Sequence, residues 1–268
     1  MKKKVYTLDE LNAYKKAYGK PIERAELILS LLKPFIVVFV FSYLLLHYWL
    51  VSGILGVLAM FYGYRVMIPQ SIKRVYNSNA FTERYHFITS LTQILSNQDK
   101  TMLTALKTVA KRANGQFKKD LLELQLSLKG ATSEQIVEAF EKFSERYKDD
   151  VIFDLYVEQL TTATIEGRTN IDTIKSIKTL YTQLKAKQED FLNRKKRATY
   201  EFRFITMISL VLVISISVYP FGLEQFVNVY AHQPVGWITS SIYLALFGLF
   251  FHSYHKRLGD DEIMKVKI

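Results

Sequence analysis

PFIVVFVFSYLLLHYWLVSGILGVLAMFYGY (Pro34–Tyr64) runs for 31 residues without one Asp, Glu, Lys or Arg. A single α-helix of that length would measure roughly 46 Å, against a hydrocarbon core of about 30 Å. With the apolar residues on its flanks, Leu27 to Ile68, the run has room for two short spans instead. His47, Tyr48, Trp49, Ser52 and Gly53 fall at its midpoint, an aromatic and polar cluster suited to a turn at a membrane–water interface. Both flanks are basic, so both favour the same side of the bilayer, which requires an even number of crossings. The run therefore predicts a membrane hairpin.

A second apolar stretch, Phe204–Tyr254, carries one charge, Glu224. It predicts a span over 204–221 ended by Pro220, an outer loop over Gly222–Trp237 free of Lys and Arg, and a span over 238–251. The last runs on to Tyr254 before Lys256 and Arg257. All five prolines, Pro21, Pro34, Pro69, Pro220 and Pro234, are expected at or near the edges of membrane segments, because an interior proline removes a backbone donor.

The formal net charge is +11, and the basic excess sits beside the apolar runs: Lys2–Lys4, Lys73-Arg74 and Asn193–Arg197. That placement fits positive-inside topology, with both termini cytoplasmic, better than it fits a nucleic-acid partner. The MKKK start precedes the first apolar run by some thirty residues and is read as a retained cytoplasmic arm, residues 1–33. Cysteine is absent, which excludes disulfides, thiolate metal sites and a cysteine nucleophile.

Residues 70–202 lack proline, and glycine occurs in 80–202 only at Gly115, Gly130 and Gly167. Between those breaks the apolar spacing is close to 3.6. Six stripes result, beginning at Phe87, Met102, Leu121, Ile136, Ile152 and Ile171. Gly115 and Gly130 are expected as left-handed helix stops. Capping patterns are expected at Ser96–Asp99, at Thr132–Gln135 and at Thr169–Asp172, and an acidic helix start at Asp149-Asp150. The sixth helix is expected to continue without a break into the third span.

The sequence thus predicts an all-α membrane protein. Two hairpins (34–69 and 203–254), together four transmembrane helices, flank a cytoplasmic antiparallel six-helix bundle (70–202), and a tail closes the chain (255–268). TTATIEGRTNID (Thr161–Asp172) reads as the corner before the sixth helix, with Gly167, Thr169 and Asp172 as its joint.

Catalytic motifs are missing: there is no GxxxxGK[ST], HExxH, GxSxG or GxGxxG. No cofactor is called for. Asp150, Asp154 and Glu158 at i, i+4 and i+8 are one divalent-cation candidate, against the plainer reading of a solvated helix face. Thr206, Ser209, Ser215 and Ser217 on the third span could line a polar path, but are expected rather to bond back to their own helix or pack against a neighbour. The alternative to a non-catalytic protein is a small membrane-embedded enzyme or transporter with a polar site among the spans.

The order of parts resembles the type II secretion F family, the platform proteins of type II secretion, type IV pili and tight-adherence (Tad) pili. It is most similar to the single-domain Tad members. The likeness is strongest at TATIEGRTNIDTIKSIKTL (Thr162–Leu180), a helix ending in glycine, a polar turn and an apolar-periodic helix. ILSNQDKTMLTALKTVA (Ile94–Ala110) resembles the family's first helix-turn-helix, with SNQDK where the family has a small turn containing glycine. The resemblance covers about residues 34–255. It implies a non-catalytic platform in the inner membrane of a prokaryote, contacting a hexameric secretion or pilus ATPase and pilin or pseudopilin subunits. A second platform protein or further copies of the chain complete the implied partners.

Overall fold

The computed structural model describes residues 7–96, 100–167, 171–219 and 222–259; all regular elements among them are helices, and no strand occurs. In chain order they are α1 (Leu8–Tyr18), α2 (Arg24–Leu46), α3 (Trp49–Tyr62), α4 (Ile68–Leu95), α5 (Met102–Arg112), α6 (Gly115–Ser127), α7 (Ser133–Glu145), α8 (Val151–Glu166), α9 (Ile171–Val218), α10 (Gly222–Phe226) and α11 (Pro234–Leu258). Four are long and apolar enough to cross a membrane: α2, α3 with its continuation, α9 and α11. The chain divides into two compact units. One is built mainly on Ile22–Ile72 and residues 193–259, the other on Asn12–Pro21 and Lys73–Leu192. They are called the span unit and the polar unit below.

In the span unit the first apolar run breaks where its midpoint cluster predicts. His47 takes a left-handed conformation (φ 54°) as the C-cap of α2, and its N–H bonds the Tyr43 carbonyl at 2.8 Å. α3 restarts at Trp49. The two helices approach closely because α3 presents small groups to α2. Ser52 is fully buried, and a Cβ on Gly56 would come within 2.9 Å of the Phe35 ring. Small residues at such an interface let backbones come near enough for close packing.

Two of the prolines lie within continuous helix, and the expected outer loop is partly helical. Pro34 lies inside α2, which begins at Arg24, because the helix-forming stretch RAELILSLLK already propagates the helix up to it. Pro69 does not end a segment either. α3 passes through a π turn (Gly63–Met67) into α4, with Ile68 N–H bonded to the Gly63 carbonyl, and this widened turn sits where the missing proline donor would interrupt the ladder. The segment expected as an outer loop, Gly222–Trp237, is largely ordered as α10 and a second π turn (Val227–Ala231). α11 then starts at Pro234, whose fixed φ and absent N–H suit the first helical position. Pro220 lies outside the described residues.

α11 packs on α2 through stacked Phe41 and Phe247 (5.2 Å) and beside the later part of α9 through stacked Phe202 and Tyr254 (4.3 Å). Most apolar side chains of these helices point outward; Ile54 is 63% and Leu249 66% exposed. Water would not tolerate so continuous an apolar surface, and lipid would.

The polar unit has one core, to which α4, α5, α6, α7, α8 and the start of α9 all contribute. Phe87, Phe117, Phe143 and Phe153 meet at its centre, all within about 6 Å of a neighbouring ring. The predicted stripes supply these residues, and the caps locate the ends. Thr132 and Gln135 form a complete capping box at α7, Asp150 Oδ1 accepts from Phe153 N–H at the start of α8, and Thr101 caps α5. The Thr101 cap was not expected. The predicted Ser96–Asp99 pattern lies mostly outside the described residues. α9 is a single helix of 48 residues, as the lack of glycine and proline predicts.

Candidate functional site

Within the polar unit, the buried charges define the most distinctive chemistry. Arg84 projects from α4, Asp150 stands at the head of α8, and Tyr181 comes from α9. Asp150 Oδ2 accepts from Arg84 Nε at 2.8 Å and from the Tyr181 hydroxyl at 2.6 Å. Arg84 also lies over the rings of Phe81, Tyr147 and Phe153, 5.5 to 5.9 Å from their centroids. Burial disfavours the Arg84 cation, but Tyr181 and Asp150 outweigh it and hold its pKa above the usual arginine value. Burial pushes the Tyr181 phenol well up, reinforced by the Asp150 carboxylate beside it. The cluster pins three helices at one point. A buried pair of this kind adds little net stability but is expensive to break, since one partner alone would be a naked buried charge.

A second network joins α6 to α7. Asp120, buried on α6, accepts from Tyr147, from Arg146 and from Gln116 Nε2 (3.0 Å). Glu123 receives Arg146 Nη2 at 2.7 Å and Lys142 Nζ at 3.0 Å. Nearer the end of the polar unit, Lys185 Nζ donates to Thr82 Oγ1 and to the buried Gln188 Oε1, each at 3.0 Å, and desolvation lowers its pKa.

The residues singled out in the sequence take these positions. Gly167 ends α8 in the left-handed conformation (φ 66°). Thr169 lies outside the described residues, and Asp172 is exposed in the first turn of α9. Gly130 is left-handed as expected (φ 69°). Gly115 is left-handed too (φ 61°) but does not stop a helix. Ala113 and Asn114 are extended after α5, so Gly115 opens α6 instead. It also lies against α1: a Cβ there would meet the Ala17 carbonyl oxygen at 2.1 Å and the Tyr18 ring at 2.6 Å.

The candidate cation ligands do not gather. Asp150 is the N-cap, turned inward to Arg84 and Tyr181; Asp154 bonds Ser144, and Glu158 is exposed. Among the described residues no group of three His, Cys, Asp or Glu could share a metal ion. Thr206, Ser215 and Ser217 bond back to carbonyls one turn earlier, at 2.7 to 2.9 Å.

Arg84 and Tyr181 escaped the sequence reading as a pair. Tyr181 sat in an apolar stripe, and Arg84 falls at helical spacing between Phe81 and Ile88, a signal that a charge lies in the core. In the span unit, Ser240 Oγ, His47 Nδ1 and His232 Nε2 are buried without a hydrogen-bond partner among the described residues; the His232 ring stacks on Tyr48 at 4.4 Å.

Over 266 residues the chain is 40% identical to pXO2-23, an uncharacterized protein of Bacillus anthracis, with 99% of this chain and 96% of that protein aligned. The chain belongs to the same family as that protein. No family model and no solved structure matches it.

Proposed function

We propose that this chain is a non-catalytic membrane platform of a type IV pilus, Tad pilus or type II secretion-like machine. In this role it couples a cytoplasmic hexameric ATPase to the extraction and assembly of pilin or pseudopilin subunits. The polar unit acts as a cytoplasmic antiparallel six-helix bundle. The four apolar helices form two hairpins in the inner membrane, with both termini cytoplasmic.

One observation carries the reading most: α9 runs unbroken from Ile171, beside the Gly167 corner, to Val218 at the end of an apolar run. A helix without an internal break carries displacement along its axis, because bending it would cost hydrogen bonds. The basic residues at 194–197 along the same helix favour the cytoplasmic side for its middle. The resemblance to the type II secretion F family supplies the partners.

The test is co-purification of the detergent-solubilised full chain with a cognate hexameric ATPase. Retention of the ATPase is expected. Absence of binding in cells that still assemble pili overturns the platform reading. The alternative, an enzyme or transporter site in the spans, has the unpartnered Ser240 and His232 in its favour, and predicts that Ser240→Ala abolishes function without loss of protein.

A further inference from the structure

Two consecutive helical segments of the polar unit carry opposite charge. Residues 102–129, comprising α5, α6 and the turn behind them, hold six basic and two acidic residues; residues 132–167, comprising α7 and α8, hold nine acidic and three basic. Internal ion pairs sharpen the separation. The two acids of the basic segment, Asp120 and Glu123, are bound by Arg146 and Lys142, which are two of the three cations of the acidic segment. Solvent therefore meets an excess of one sign on each segment, with Glu123 on the first and Lys142, Arg146 and Lys148 on the second exposed as well. Lys107, Lys111, Arg112, Lys119 and Lys129 are exposed on the first, and every carboxylate of the second except Asp150 is exposed.

Such segregation works against an isolated copy. Glu134 and Glu138, Glu141 and Glu145, Asp154 and Glu158, and Lys107 and Lys111 are like charges one helical turn apart, and each such pair repels. A surface of opposite sign would relieve all of them.

Each segment also exposes apolar anchors framed by its own sign. On α6, Leu122 and Leu126 are 43% and 66% exposed, between Lys119 and Lys129. On α8, Leu155 and Ile165 are 44% and 41% exposed, beside Asp154, Glu158 and Glu166. Apolar centres with a charged rim are the anatomy of a protein interface.

We propose that the polar units of two copies of this chain dock head to tail, with α6 of one copy seated on α8 of the next. Leucine and isoleucine side chains meet at the centre, and Lys119 and Lys129 face Glu158 and Glu166 at the rim. A second copy is the occupant because both complementary surfaces belong to one chain. Copies inserted in one orientation are related by rotation about the bilayer normal, and that is the symmetry a head-to-tail contact generates, as a closed ring or an open row. The proposal draws on the charge pattern and does not rest on the platform reading; its outcome leaves ATPase binding to be judged separately.

The chain has no cysteine, so single cysteines report the contact. Differently tagged full-length chains, one with Ser127→Cys on α6 and one with Thr162→Cys on α8, are co-expressed and oxidised in isolated membranes. A mixed disulfide dimer is expected, well above either same-variant dimer, and weakened as salt screens the rim. Adding Lys119→Glu and Lys129→Glu to the first chain should cut the mixed dimer by about fivefold or more, as like charges then face each other. Adding Glu158→Lys and Glu166→Lys to the second should restore it, a recovery that a misfolded first chain could not show. Equal cross-linking in all pairs, or indifference to charge reversal, overturns the proposal. So does a missing mixed dimer when Ser127→Cys is still protected from an impermeant maleimide, which would assign the α6 face to another occupant.

Discussion

Arg84 Nε lies 2.8 Å from Asp150 Oδ2, with both side chains more than nine-tenths buried. The pair joins residues 66 positions apart, and the same carboxylate caps α8 through Phe153 N–H. One acidic group thus fixes a helix start, a cation and a tyrosine.

Arg84→Met keeps most of the volume and leaves Asp150 as an unpaired buried anion. The expected loss is about 3–5 kcal/mol, read from urea melts of the solubilised chain by far-ultraviolet circular dichroism. Tyr181→Phe removes a hydrogen bond and leaves the ion pair, so its loss should be nearer 1–2 kcal/mol. Equal effects would mean that the ion pair is not what holds the three helices.

Gly115→Ala and Gly130→Ala share a positive φ but differ in surroundings. At Gly130 a Cβ meets nothing, and only the left-handed strain of roughly 1–2 kcal/mol should appear. At Gly115 the same methyl runs into the Ala17 carbonyl, so α1 should lift away. Limited proteolysis within Gly19–Glu23 should accelerate in the first variant and not in the second. Gly167→Val, in open space at φ 66°, should behave like Gly130→Ala in stability, with a somewhat larger loss for its branched side chain.

Alkaline pH should weaken the polar unit. Burial raises the pKa of Tyr156 and of Tyr181, and burial with the Asp120 hydrogen bond raises that of Tyr147. The unfolded phenols release protons near pH 10 while the folded ones retain theirs, so the unfolded state binds fewer protons above that point. Stability is full below about pH 10 and falls as pH rises beyond it, by about 1.4 kcal/mol per unit for each such tyrosine. Urea melts across pH 8–11 measure the slope. Tyr156→Phe should make it shallower; an unchanged slope would clear that residue.

The proposed orientation puts Asn228, in the second π turn, outside, and Glu145, at the end of α7, in the cytoplasm. In intact cells an impermeant maleimide should label Asn228→Cys and spare Glu145→Cys. The reverse pattern would invert the topology.

Sequence periodicity made the helices legible, and the reasons for the misses are local. The His47 break and the unbroken α9 follow from polar clustering and from the lack of glycine and proline, both one-dimensional signals. Pro34 and Pro69 lie within continuous helix, which the residues alone did not show. A helix already propagating from Arg24 carries Pro34, and a π turn accommodates Pro69. Gly115 looked like a stop because glycine takes the left-handed C′ conformation without penalty, and only the third dimension reveals Ala17 against it. Asp150 looked like a surface ligand because i, i+4 spacing assumes that all three residues are helical, whereas the cap residue is not. The partner of a buried charge, here Arg84, sits 66 residues away, beyond any local pattern.

The Arg84 cluster also sets an order of events during synthesis. Its cation is made first, its carboxylate 66 residues later and its tyrosine 31 later still. Contacts so distant in sequence form slowly, because the intervening loops must close first. A chain emerging from the ribosome therefore carries an unmatched guanidinium through most of the polar unit's translation. It can pair that charge only after Asp150 has appeared, and Tyr181 completes the cluster last, when the apolar end of α9 is next in line. Completion of the buried cluster and synthesis of the apolar end of α9 are thus adjacent in time.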